Sequence, residues 1–262
     1  MSFTEKDGLR YLTFDSFSEH GLSHAVFTRH GGVSEGHCTS LNMGLTVGDQ
    51  PEKVIENRKR SFHALERNIE SLSDSWLVHE NNVHIYDQPR TSAEKIPPKV
   101  DIILTDNPEV SLFMRYADCT PILFYDPKNE AIGLAHAGWK GTVQNVAGEA
   151  LKAMAERYGS APENIIAAIG PSIGPKEYEV GENVIEAVYN SFGDEADSLL
   201  PKLGESTHFD LWAANNLSLI NAGVKNIENV EICTGINTQD WFSHRVEKGK
   251  TGRFGVLLAL PA

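Results

Sequence analysis

At roughly 150 residues per domain, a chain of 262 residues holds one or two domains. Layered α/β folds reach this length alone, so one domain spanning residues 1–262 is expected. Hydrophobic residues at 40% and charged ones at 23% exclude a disordered, collagenous or fibrous chain. With 23 basic residues against 36 acidic ones, the net charge of −13 repels phosphate backbones and anionic membrane surfaces. Nucleic acid is therefore excluded as a bulk partner, while a small anion held by a few local cations is not.

Cys38, Cys119 and Cys233 are an odd number of widely spaced cysteines, neither a disulfide framework nor a C-x-x-C redox pair, and they suit a reducing compartment. The opening MSFTEKDGLRYLTF has no basic region followed by an apolar stretch, and no apolar run approaches the roughly 18 residues of a membrane span. A soluble, cytoplasmic protein is expected.

In chain order, residues 51–69 predict a helix with Asp49 and Glu52 as a capping-box pair and Pro51 in the first turn. Val54, Ile55, Phe62, Leu65 and Ile69 fall largely on one face of it. DQPRTSAEKIPPK, 87–99, reads as a surface loop. Short β-branched or aromatic runs at 100–105, 110–114, 121–125 and 131–136, separated by turn signals, predict strands. A helix over 141–158 follows, with Val143, Val146, Ala147, Ala150, Leu151, Met154 and Tyr158 in a 3.6-residue period and Gly159 as its stop. A strand at 165–169, helices near 182–192 and 209–222, and strands near 229–234 and 253–259 complete the chain.

Two strand ends deliver soft or imidazole side chains, Cys119 in YADCTP and His136 at the exit of AIGLAH, and His79 in LVHENNVH is a third. Together they would make a three-ligand site of the kind catalytic zinc uses. The gaps of 40 and 17 residues are not those of a zinc finger. The same residue types also serve as solvated loop histidines, hydrogen-bonded core imidazoles and a small buried apolar cysteine. GPSIG, 170–174, matches the G-x-S-x-G nucleophile elbow, but Pro175 follows too soon for the helix that motif requires, so a proline-framed turn is expected at Ser172. TRHGGVSEG, 28–36, reads either as a glycine loop with Arg29 facing an anion or as a tight turn with a surface arginine. Neither G-x-G-x-x-G nor a Walker A motif is present, so ATP and NAD have no support.

TRHGGVS, VHENNV, ADCTPILFYDP, AHAGWKGT, IGPSIGPKEYEVG, WFSHR and TGRF together resemble the YfiH/YlmD family, labelled laccase-domain or polyphenol oxidase and later purine nucleoside phosphorylase. The resemblance spans nearly the whole chain. It implies an α+β fold of mixed β-sheets covered by helices in layers, similar to cysteine-dependent deamidating toxins. It also implies zinc held by the residues that match the family's ligands, His79, Cys119 and His136. The implied activities are phosphorolysis of adenosine, inosine and methylthioadenosine, and deamination of adenosine to inosine. Glu80 stands where the family most often has glycine, which alters the rim of the site.

The chemistry agrees in part. Zinc with an open position lowers the pKa of bound water to about 7, which suits deamination at a purine C6. The H-x-E and P-C-x-x-C pair of the zinc nucleobase deaminases is absent, so deamination would be built differently. Phosphorolysis needs a phosphate pocket, for which Arg29, Lys140 and Arg245 are the available cations. Copper is the alternative metal, with phenol oxidation as its reaction, but ten histidines include no H-x-H pair. A metal that merely staples the fold is the third reading, and no fourth ligand stands out.

Overall fold

The computed structural model describes residues 1–90 and 96–261. Its first half runs β1 (Ser2–Lys6), β2 (Leu9–Thr13), α1 (Asp15–Ser18), β3 (Ser23–Phe27), α2 (Pro51–Ala64), β4 (Leu72–Asp74), β5 (Val83–Ile85), β6 (Ile102–Thr105), β7 (Ser111–Tyr116), β8 (Thr120–Asp126) and β9 (Ala131–Ala137). The second runs α3 (Trp139–Val143), α4 (Val146–Tyr158), β10 (Ile166–Ile169), α5 (Glu182–Phe192), α6 (Ala196–Leu199), β11 (Lys202–Leu203), β12 (Ser206–Thr207), α7 (Leu211–Asn221), β13 (Asn226–Asn229) and β14 (Phe254–Ala259).

Side-chain alternation decides how these strands stack. On β7, Leu112, Met114 and Tyr116 face one apolar cluster and Phe113 the opposite one; on β8, Leu123 and Tyr125 share the first cluster while Ile122 and Phe124 face away. Two six-stranded mixed sheets therefore meet face to face, ordered β1-β2-β3-β14-β7-β4 and β13-β10-β8-β9-β6-β5. The outer face of the second is covered by α4 through Val146, Ala150, Leu151 and Met154, and that of the first by α2 through Phe62 and Ala64. Central strands buried on both faces have no polar alternation to show, which is why their sequences read as near-continuous apolar runs. The fold is the expected α+β arrangement of mixed sheets under helices.

Several local expectations need correction. α2 stops at Ala64, because Glu66 takes the left-handed φ of 57° and the amides of Glu66 and Arg67 close a turn onto His63 and Phe62. Asp49 caps nothing by a box: its carboxylate accepts from Ser34 Oγ and Asn42 Nδ2, tying down the preceding loop, and Ile55 is exposed. The helix expected over 141–158 is two, α3 and α4, broken where Asn145 adopts a left-handed φ of 57° and caps α4 by accepting from the Gly148 amide. Gly159 ends α4 as expected, at φ 73°. The strand near 229–234 is displaced to β13, leaving an isolated bridge between Ser172 and Cys233. The described parts of the 87–99 loop carry no regular structure, and 91–95 lie outside the described residues.

Candidate metal centre

Three adjacent strands of the second sheet bring Cys119, His136 and Asp101 together by register. β8 and β9 are antiparallel with Thr120 opposite Ala137 and Pro121 opposite His136, so Cys119, just before β8, and His136, near the end of β9, lie at the same sheet end. β6 flanks β9 on its other side with Ile102 opposite Ala135, which sets Asp101 beside His136; the His136 amide donates to the Asp101 carbonyl at 2.8 Å. His79 arrives from the loop between β4 and β5. The donor atoms of His79, Cys119 and His136 all lie within 4.8 Å of one another.

Asp101 organises both histidines. One carboxylate oxygen accepts from His136 Nδ1 at 2.8 Å, and the other accepts the backbone amides of Val78 and Glu80, each at 3.0 Å. Those amides flank His79, whose φ of 62° is what turns both toward one oxygen. The left-handed residue is thus His79 itself, and Glu80 needs no glycine conformation; its side chain accepts from Asn82 Nδ2 at 2.6 Å. Burial opposes charge on Asp101, but its hydrogen bonds to His136 and the two amides hold it below the usual carboxylate range. An ionised acceptor at Nδ1 holds a proton there, so Nε2 is the nitrogen a metal would take, its own proton leaving as the metal binds.

The thiol is tuned in the same way. Burial pushes Cys119 up, yet the charge of His136 and hydrogen bonds from His136 and His79 outweigh it and bring it down to about 6. Burial pulls His136 down, and Cys119 and Asp101 hold it up to about 9. A thiolate among imidazoles is a borderline-soft donor set, and these residues fit a metal. Gly138 leaves the room: a Cβ there would come 3.0 Å from Cys119 Sγ and 3.2 Å from His79 Cδ2. His79 is exposed and Cys119 partly so, which leaves the group open on one side.

The other singled-out residues divide. Ser172 is buried in the isolated bridge to Cys233 rather than in the expected turn, which comes at 175–177, and no α-helix starts before Glu182; its hydroxyl accepts from Trp212 Nε1 at 2.8 Å and Thr120 Oγ1 at 3.0 Å, bracing the strand end beside Cys119. Arg29 donates to the Thr39 and Thr238 carbonyls, pairs with Glu247 at 3.1 Å and lies over the Phe242 ring. Lys140 is exposed in the first turn of α3, two residues from Gly138. The Arg245 amide donates to Asp118, the neighbour of Cys119, at 2.7 Å, and its guanidinium donates to the Glu179 carbonyl over the Tyr178 ring. Sequence reasoning missed Asp101 and Gly138. The only signal for Asp101 was a carboxylate heading the apolar run VDIILT.

Residues 23–261 match the family model described as "Multi-copper polyphenol oxidoreductase laccase". The chain is 36% identical over 253 residues, 93% of it and 94% of the relative, to a "Purine nucleoside phosphorylase" of Bacteroides thetaiotaomicron. It is 38% identical over 245 residues, covering 89% and 88%, to "Purine nucleoside phosphorylase YlmD" of Geobacillus stearothermophilus. The chain belongs to the YfiH/YlmD family. The crystal structure of the Geobacillus stearothermophilus YlmD superposes with a TM-score of 0.92 at 33% identity, covering 99% of both chains. Among the described residues, no helix is long and apolar enough to cross a membrane.

Proposed function

We propose that this chain is a zinc-dependent purine nucleoside enzyme. It phosphorolyses adenosine, inosine and S-methyl-5′-thioadenosine to the free base and (methylthio)ribose 1-phosphate, and it deaminates adenosine to inosine. The observation that carries the reading is the convergence of His79, Cys119 and His136 on one open point under a single organising carboxylate, in a chain whose relatives are named purine nucleoside phosphorylases. One thiolate and two imidazoles suit zinc, which when bound supplies Lewis acidity and an open coordination position. Three free cysteines agree with a cytoplasmic protein, and residues 1–262 act as one unit in this reading.

In phosphorolysis a phosphate oxygen bonds to C1′ as the C1′–N9 bond breaks, and the electron pair leaves on the purine, which takes up a proton. In deamination water adds at C6 and ammonia leaves. Asp101 keeps the His136 proton on Nδ1 throughout, so the ring cannot turn its donor face to the site. Cys119, ionised near neutral pH, contributes the negative charge that makes the donor set bind a dication.

The test is to incubate metal-analysed protein with adenosine, with and without phosphate, and to separate adenine, inosine and hypoxanthine. Adenine formed only with phosphate supports phosphorolysis, and inosine formed without it supports deamination; neither product sinks the reading. The family description favours one alternative, copper-dependent phenol oxidation. Phenol turnover by copper-loaded protein, with no nucleoside turnover by the zinc form, would establish it instead.

A further inference from the structure

The first sheet runs a cationic residue toward the same strand end. Phe254, the first residue of β14, pairs with Tyr116, the last of β7, so Arg253 leaves β14 opposite Ala117, where the chain runs on through Asp118 to Cys119. Its backbone is clamped on both sides: the amide donates to Asn42 Oδ1 at 2.9 Å and the carbonyl accepts from the Met43 amide at 2.9 Å. Nη1 is anchored on the Thr251 and Gly252 carbonyls at 3.1 and 2.8 Å. The stem crosses Gly44, where a Cβ would stand 2.8 Å from Arg253 Cγ. Among the described residues this guanidinium has no ion-pair partner, whereas Arg10 pairs with Asp240, Arg29 with Glu247 and Arg115 with Asp74. Burial lowers its pKa, and the negative charges of Cys119 and Asp118 act on it in the opposite sense.

The geometry points to Arg253 as the residue that holds the inorganic phosphate co-substrate beside His79, Cys119 and His136. A chain of net charge −13 repels anions at large, so a local cation is needed. A guanidinium fixed by one nitrogen still presents donors in a planar fork that matches an oxyanion. Arg29, by contrast, already has its carboxylate. The assignment rests on the phosphorolytic reading above.

The experiment titrates the zinc-loaded full chain with inorganic phosphate, and separately with adenosine 5′-monophosphate, for the parent, Arg253→Met, Gly44→Ala and the exposed control Lys152→Gln. Zinc content and circular dichroism are checked for each, and KM for phosphate is measured alongside KM for inosine. Arg253→Met is expected to weaken phosphate binding at least about tenfold, the scale of a lost charge-assisted hydrogen bond, and to raise KM for phosphate more than KM for inosine. Gly44→Ala, which moves the fork without removing its charge, should fall between. If Arg253→Met does not fold, Arg253→Lys takes its place and should still lose several-fold. Phosphate affinity within twofold of the parent overturns the proposal. So does a loss confined to the nucleotide, which would assign Arg253 to a nucleotide's own phosphate. Arginine-dependent phosphate binding in a protein that never cleaves nucleosides would keep this site and sink the phosphorolytic reading alone.

Discussion

Replacing Asp101 by asparagine is the sharpest perturbation of the metal centre, because it changes no volume and removes one capacity. The carboxylate accepts three hydrogen bonds, one from His136 Nδ1 and two from the amides around His79. An amide side chain has an acceptor on one side only. With its oxygen toward His136, its NH₂ confronts the Val78 and Glu80 amides; flipped, it confronts Nδ1 and drives the His136 proton to Nε2, the atom a metal needs. Each buried N–H left without an acceptor costs about 1–3 kcal/mol, and losing a carboxylate partner of a ligand histidine costs roughly 10–100-fold in metal affinity. Both histidines depend on this one carboxylate, so Asp101→Asn is expected in the upper half of that range. Zinc competition against a chromophoric chelator near neutral pH measures it, with melting temperatures of zinc-loaded and chelated protein as a second readout. Parental zinc affinity in a folded Asp101→Asn protein would refute the claim that Asp101 sets both histidines.

Cys119→Ala is expected to lose zinc and nucleoside turnover with a modest fall in melting temperature, while Cys38→Ala and Cys233→Ala keep zinc by elemental analysis; outright unfolding of Cys119→Ala would make the metal structural. Gly138→Ala should weaken zinc binding by crowding Cys119 and His79, and Gly181→Ala, whose Cβ meets nothing closer than 3.5 Å, should not; equal affinities would remove the role given to Gly138. Asp74→Asn leaves Arg58, Arg90 and Arg115 around a neutral group where the parent has one buried carboxylate, and Arg58 is already held down to about 10 by burial and Arg115. A loss of about 3–5 kcal/mol in urea unfolding is expected. Buried His24 accepts from the Phe14 amide, and desolvation lowers its pKa below 6.5, so above 6.5 folded and unfolded states agree in charge and below it the unfolded state binds the extra proton. Stability should therefore fall as pH drops below 6.5, by up to about 1.4 kcal/mol per pH unit, and His24→Gln should lose less across the same window.

Two of the three candidate ligands were legible in the sequence because each sits at a strand boundary that composition alone reveals, whereas His79 stands in the loop between β4 and β5 and offered only its residue type. Cys119 precedes PILFY and His136 closes AIGLAH, and once those runs pair as neighbours the two side chains must share a sheet end. What composition does not reveal is long-range register. Asp101 heads a strand whose partner is β9, so its position beside His136 exists only after β6 and β9 align. Arg253 lies at the tip of β14, in a different sheet from β8, and approaches Cys119 only because β14 pairs with β7, whose chain continues directly into Cys119. The capping box failed for a related reason: Asp49 had a local role by spacing, but Ser34 and Asn42, brought back by the intervening loop, compete for the same oxygen and win it. The helix break was hidden because Val143 and Val146 keep the apolar period across it while Asn145 turns left-handed between α3 and α4. That break has a consequence for the site, since it lets the short α3 begin directly after Gly138 and set Lys140 in its first turn, while α4 lies along the sheet and covers β9. Local chemistry thus names the atoms that can bind a metal, and strand register decides which carboxylate orients them and which cationic residue runs toward their strand end.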